Sequence, residues 1–118
     1  MNDNITTLTE LKRKVAQFVA ERDWNQFHTP KNLAASISIE AAELLEHFQW
    51  REAEQCERDK LSPEKIHEIG EECADVLAYL LSLANRLGLD LSEIYERKMK
   101  RNAEKYPIER YRGRSGNE

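Results

Sequence analysis

Twice in this chain a hydroxyl residue stands directly before a proline at the head of a helically spaced apolar stripe, at Thr29–Pro30 and Ser62–Pro63. The hydroxyl accepts from a free amide of the first turn, and proline loses nothing there because its missing N–H had no partner to lose. Two further starts carry Thr7 with Glu10 and Asp90 with Glu93, the spacing of a capping box. The first helix presents Leu8, Leu11, Val15, Phe18 and Val19 on one face and fades near Asp23. The second runs to about Trp50, with Ile37, Ala41, Leu44, Leu45 and Phe48 inward. The third and longest ends at Gly88, and Pro107 stops the fourth. The segment RDWNQFHTP reads as a loop loaded with aromatics, and REAEQCERDK as a short exposed helix or loop.

Only four glycines and three prolines occur in 118 residues, and 34% of the chain is charged, which suits helices rather than a turn-rich sheet. No repeat, linker or domain boundary stands out. The expected fold is all-α, an antiparallel bundle of four to five helices over residues 1–107, followed by a polar tail at 108–118. From Val76 to Leu87 the third helix is apolar almost all round. Such a helix needs cover on every side, more than its short neighbours supply, so a homodimer or homotetramer is expected.

Several classes of function are excluded. A net charge of −4 argues against nucleic acid as a partner, since a phosphate backbone calls for a basic face. The start lacks an apolar signal segment, and the longest mostly apolar run, Val76 to Ala84, is too short to cross a bilayer. The expected compartment is the cytoplasm, with no membrane partner. Cys56 and Cys73 are too few for a disulfide framework or zinc cluster, and Cys73 falls within an apolar pattern as a buried free thiol.

The chemistry sits in two words, IEAAELLEHFQW and HEIGEECADVLAYL. Glu40 and Glu43 are three apart and share a helix face with Ser36, His47 and Trp50. Glu72 and Asp75 repeat the spacing, on a face with Glu68 and Tyr79. With 22 acidic residues, single pairs of this kind arise by chance on solvated faces. Two pairs on separate helices, each bordering the apolar stripe, are harder to dismiss. If the helices pack together, the carboxylates repel and lose solvation, and a divalent cation resolves the conflict. Hard oxygen ligands without cysteine favour Mg²⁺, with Mn²⁺ as the alternative, over zinc.

The pattern Glu40-x-x-Glu43, a spacer of 28 residues, then Glu72-x-x-Asp75 resembles the signature of the MazG-like all-α NTP pyrophosphatase superfamily. The words RDWNQFHTPKNLA, SIEAAELLEHFQW, EECADVLAYLLSLANRLGLDL and KMKRNAEKYP are similar to its dCTP pyrophosphatase branch, over roughly residues 8 to 113. The resemblance implies helical dimers or tetramers, with Mg²⁺ held by Glu40, Glu43, Glu72 and Asp75. It implies hydrolysis of the α–β phosphoanhydride of a nucleoside triphosphate, dCTP or a related nucleotide, to monophosphate and pyrophosphate. Glu43 or Glu72 is then the general base. Trp24, Phe27, His28 and Trp50 correspond to residues lining the base pocket, and Tyr79 joins them from the second acidic face. Lys98, Asn102, Lys105 and Tyr106 fall where that family contacts phosphates or sugar.

The residue types agree with this. Aromatic faces stack on nucleobases, and Trp24 and Phe27 lie in a polar loop where core filling explains them poorly. Lys98, Asn102 and Lys105 recur at helical spacing, which suits a triphosphate, although cations also favour a helix end. Two rivals differ in class. A ferritin-like di-iron protein would use Glu64-x-x-His67, but needs a second such motif. A non-catalytic helical interaction module would leave the four carboxylates without a role.

Overall fold

The computed structural model describes residues 1–114, and the end of the polar tail at 115–118 lies outside them. Every regular element among the described residues is helical. The main helices are α1 (Leu8–Glu21), α2 (Pro30–Glu46), α3 (Pro63–Leu87) and α4 (Leu91–Lys105), and α5 is a single turn (Ile108–Tyr111). Two short 3-10 turns, Ala53–Cys56 and Arg58–Lys60, fill the connection before α3.

All four expected caps form. Thr7, Thr29, Ser62 and Asp90 each accept from the amide three residues on, at 3.0 to 3.2 Å. Gly88 closes α3 in the left-handed conformation (φ 65°, ψ 40°), where a side chain is rarely accepted. At the end of α1 that part is taken by Asp23, with φ 53°. The amide of Asp23 donates to the Ala20 carbonyl (3.1 Å) and that of Trp24 to the Val19 carbonyl (3.0 Å). Those two bonds make a Schellman motif with aspartate in place of glycine.

The second helix is shorter than its sequence implies. It stops at Glu46, and residues 47–50 are turns in which Phe48 donates back to Leu45 (2.9 Å) and Arg51 to Phe48 (3.0 Å). Three-residue bonds enter the ladder here, beside a last four-residue bond from Gln49 to Leu45 (3.0 Å), with no glycine or proline to announce them.

The chain clusters into two compact units, Met1–Gly88 and the part from Leu89 onward, a division that the sequence marks only by Gly88. In the first unit α3 is the spine, packing against both α1 and α2. Its core is small: Val19, Leu33, Leu81 and Ala84 are the buried hydrophobic side chains among the described residues. Ala41, Leu45 and Cys73, expected inside, are exposed. Ala41 and Leu45 lie on α2, whereas Cys73 lies on α3, which is apolar almost all round from Val76 to Leu87 and so gives little periodicity to say which side meets its neighbours. In α3 the buried line runs through Leu81, Ser82 and Ala84. Ile66, Cys73, Leu80 and Leu87, spaced by sevens with Leu77 alongside, share a helical face and are exposed, although Ala84 on the same side is buried.

In the second unit Pro107 ends α4, and the Tyr106 and Tyr111 rings meet edge to face at 5.1 Å. That contact accompanies a turn of helix at the beginning of what reads as a polar tail.

With so few buried side chains, each counts. Leu33, 2% exposed, is the largest fully buried one. Leu33→Ala should lower unfolding free energy by about 2–5 kcal/mol. Urea denaturation of both proteins checks this, with a shifted midpoint and an unchanged slope.

Candidate active site

The two hydroxyl–proline starts set the registers of α2 and α3, and the packing of these helices turns the acidic pairs toward each other. Glu40, Glu43 and Glu72 each offer a carboxylate oxygen within 4.8 Å of the others. Asp75 stands beside this trio rather than in it, and its charge acts on Glu40. Two like unit charges at such a separation repel by about 3 kcal/mol at an effective dielectric of about 20.

Glu40 carries most of the strain. Its carboxyl is raised from 4.5 to about 7, first by burial, then by hydrogen bonding with Glu43 and Glu72, then by the charges of Glu43 and Asp75. Glu40 Oε2 and Glu72 Oε2 are buried with no hydrogen-bond partner among the described residues. Buried acceptors left unmatched are costly, and a hard divalent cation is the ligand this all-oxygen donor set fits. Neither histidine nor cysteine belongs to the group. His67, needed by a di-iron reading, pairs instead with Glu71 (2.6 Å) on the exposed side of α3. Glu68, expected on the acidic face, pairs with Lys65 at 3.6 Å and is also exposed.

Next to the acids lies a cleft of about 620 Å³ whose wall includes Glu40, Asp75 and four rings, Phe18, Trp24, His28 and Tyr79. The rings follow one another. Phe18 meets Trp24 edge-on at 5.7 Å, Trp24 stacks with His28 at 6.3 Å and 29°, and His28 faces Tyr79 at 6.2 Å. Arg22 closes the far end, with its guanidinium 3.7 Å from the Phe18 ring centre. Trp24, His28 and Tyr79 are therefore brought together with the carboxylates. Phe27 and Trp50 are not among the lining residues of this chain, and they are 60% and 89% exposed.

Phe18 and Lys14 line the cleft although sequence reasoning passed them over. Phe18 sits in the apolar stripe of α1 and reads as core. Its place at the edge of that stripe was the available signal.

The other candidates belong to the second unit. Lys98, Asn102 and Lys105 line a surface hollow of about 380 Å³ on α4, and Lys105 Nζ is 5.4 Å from the Tyr106 ring centre.

The model of the family described as MazG-like matches residues 35–117, most of the chain and both acidic pairs. The chain belongs to the MazG-like family. This MazG-like chain is similar to dCTP pyrophosphatase 1 of Bos taurus, with 41% identity over 107 residues, 91% of its own length and 63% of the relative's. The Homo sapiens protein of that name is 42% identical over 101 residues, 86% of this chain and 59% of the relative. The chain thus spans less than two thirds of the length of these curated relatives. A pyrophosphatase crystal structure from Archaeoglobus fulgidus DSM 4304 superposes with a TM-score of 0.79 at 43% identity. That match covers 91% of this chain and 98% of the other.

The raised Glu40 carboxyl has a consequence for stability. Below pH 4.5 both folded and unfolded states hold this proton, and between 4.5 and about 7 only the folded state does. Glu40 therefore favours folding at low pH, and that contribution is lost as pH rises through this window. In metal-free protein, the melting temperature of wild type relative to Glu40→Gln should fall across it. A difference that stays flat, or grows with pH, would show that the acids are not held together.

Proposed function

We propose that this MazG-like chain is a Mg²⁺-dependent pyrophosphohydrolase that cuts the α–β bond of a nucleoside triphosphate, dCTP or a close relative, in the cytoplasm. The observation that carries the proposal is the sharing of Glu40 between two features. It belongs both to the carboxylate cluster with unmatched buried oxygens and to the wall of the aromatic cleft. A nucleotide needs a flat apolar surface for its base and a cation site for its phosphates, and here the two adjoin. The names of the similar proteins support the same reading.

In this reading Glu40, Glu43 and Glu72 hold Mg²⁺, with Asp75 beside them completing the acidic set. Mg²⁺, when bound, neutralises phosphate oxygens and favours ionisation of the attacking water. The base stacks against Trp24 and His28, with Tyr79 at the acidic end of the row. Glu43 or Glu72 accepts the proton of the attacking water. Lys98, Asn102, Lys105 and Tyr106 serve as a phosphate- and sugar-contacting surface, with Phe27 and Trp50 as further base contacts. The exposed stripe from Ile66 to Leu87 supports self-association as a dimer or tetramer, because an isolated chain would leave it in water.

Chromatography of a reaction with dCTP and Mg²⁺ should give dCMP and pyrophosphate, with activity lost on EDTA and restored by excess Mg²⁺. A diphosphate and orthophosphate would overturn the assignment. Glu72→Gln should lower turnover by about 100-fold or more while the fold survives. The rise in melting temperature caused by Mg²⁺ should also shrink, since that rise tracks the affinity of the folded state for the ion. For self-association, sedimentation at micromolar concentration should give a dimer or tetramer. A monomer with full activity would remove that part.

A further inference from the structure

We infer that Arg86 is a positioning residue that docks the aromatic loop onto the acidic helix and so governs nucleotide affinity without touching the reacting atoms. The kinetic part of this inference rests on the functional reading above. The physical part does not.

The row of rings crosses between two parts of the chain. Trp24 and His28 belong to the loop between α1 and α2, whereas Tyr79, with Glu72 and Asp75, belongs to α3. Something must hold loop and helix in register for base surface and acids to face one ligand. Packing does not do it at this point. A hollow of about 140 Å³ lies there, bounded by Asn25 and His28 of the loop and by Ser82 and Arg86 of α3. Across this gap Arg86 Nη1 donates to the carbonyl of Asn25 at 3.2 Å, joining positions 61 residues apart. A charged donor makes a stronger bond than a neutral one, and the carbonyl it grips lies between Trp24 and His28 in sequence.

The neighbouring tie has a different target. Asn85 Nδ2 donates to the Lys12 carbonyl at 2.9 Å and holds α1 to α3. With Asn85 intact, removal of the Arg86 guanidinium frees the loop while leaving the helix pair bound. The contact to open is that between His28 and Tyr79, where the rings are tilted at 43° rather than stacked.

Two measurements test this. The first is steady-state kinetics with dCTP on Arg86→Ala. The expected result is a rise in KM of about tenfold, the size of one lost charged hydrogen bond, with kcat within about twofold of wild type. Arg86→Lys, which keeps a charged donor on a long stem, should recover most of the affinity. The second needs no activity. In a Trp50→Phe background Trp24 is the sole tryptophan, and Arg86→Ala should make its fluorescence more readily quenched by acrylamide. If Arg86→Ala does not fold, Arg86→Gln is measured with the same expectations. An unchanged KM with unchanged quenching overturns the inference. So does a loss confined to kcat, or a folded Arg86→Lys as impaired as the alanine variant. If wild type hydrolyses no nucleotide, the functional reading falls, and the quenching result still decides the tether.

Discussion

Like charges pressed together by the packing of α2 on α3 set the terms for the rest of this structure. The hydrophobic core of the first unit is thin, so an unrelieved repulsion among Glu40, Glu43 and Glu72 is large beside the marginal stability of a small domain. The fold lives with it in either of two ways. A proton on Glu40 removes one charge, and burial first, then hydrogen bonding and the neighbouring charges, raise that carboxyl to about 7. A divalent cation held by these carboxylates would remove more, and would satisfy the two unmatched oxygens as well. Stability and ligand binding are thereby opposite sides of one electrostatic problem, and the helices are arranged to keep that problem in being.

How much of this the sequence disclosed depends on the range of the interaction concerned. Helix starts are local events, and Thr7, Thr29, Ser62 and Asp90 were legible because a cap and its amide lie three residues apart. The end of α2 was not, because a ladder that tightens at Phe48 leaves no mark in composition. The pairing of Glu40 with Glu43, and of Glu72 with Asp75, follows from helical spacing alone. Their meeting across two helices is a tertiary fact, which spacing permits without requiring, and the resemblance to the MazG-like family supplied it.

The errors have a common origin. Apolar character reads as burial at both Cys73 and Leu45, yet α3 at Cys73 and α2 at Leu45 carry apolar residues on faces that a single chain does not cover. Phe18 was given to the core for the same reason, although it stands at the rim of the stripe and looks into the cleft. Conversely, Trp24 and Phe27 stand out as large rings in a polar loop, yet only Trp24 of the two lines the cleft, beside His28, which the resemblance supplied. Composition against context, rather than composition alone, was the informative quantity.

The left-handed Asp23 at the end of α1 reaches further than a helix terminus. Through it the amide of Trp24 is bonded to the carbonyl of Val19, and Val19 is 5% exposed in the core. The indole is thus indexed to the interior by main-chain atoms as well as by its ring contacts with Phe18 and His28. A backbone bond of this kind does not depend on which side chain stands at 24. Substitution of the ring at position 24 thus alters the cleft wall while this main-chain tie remains available to the new residue.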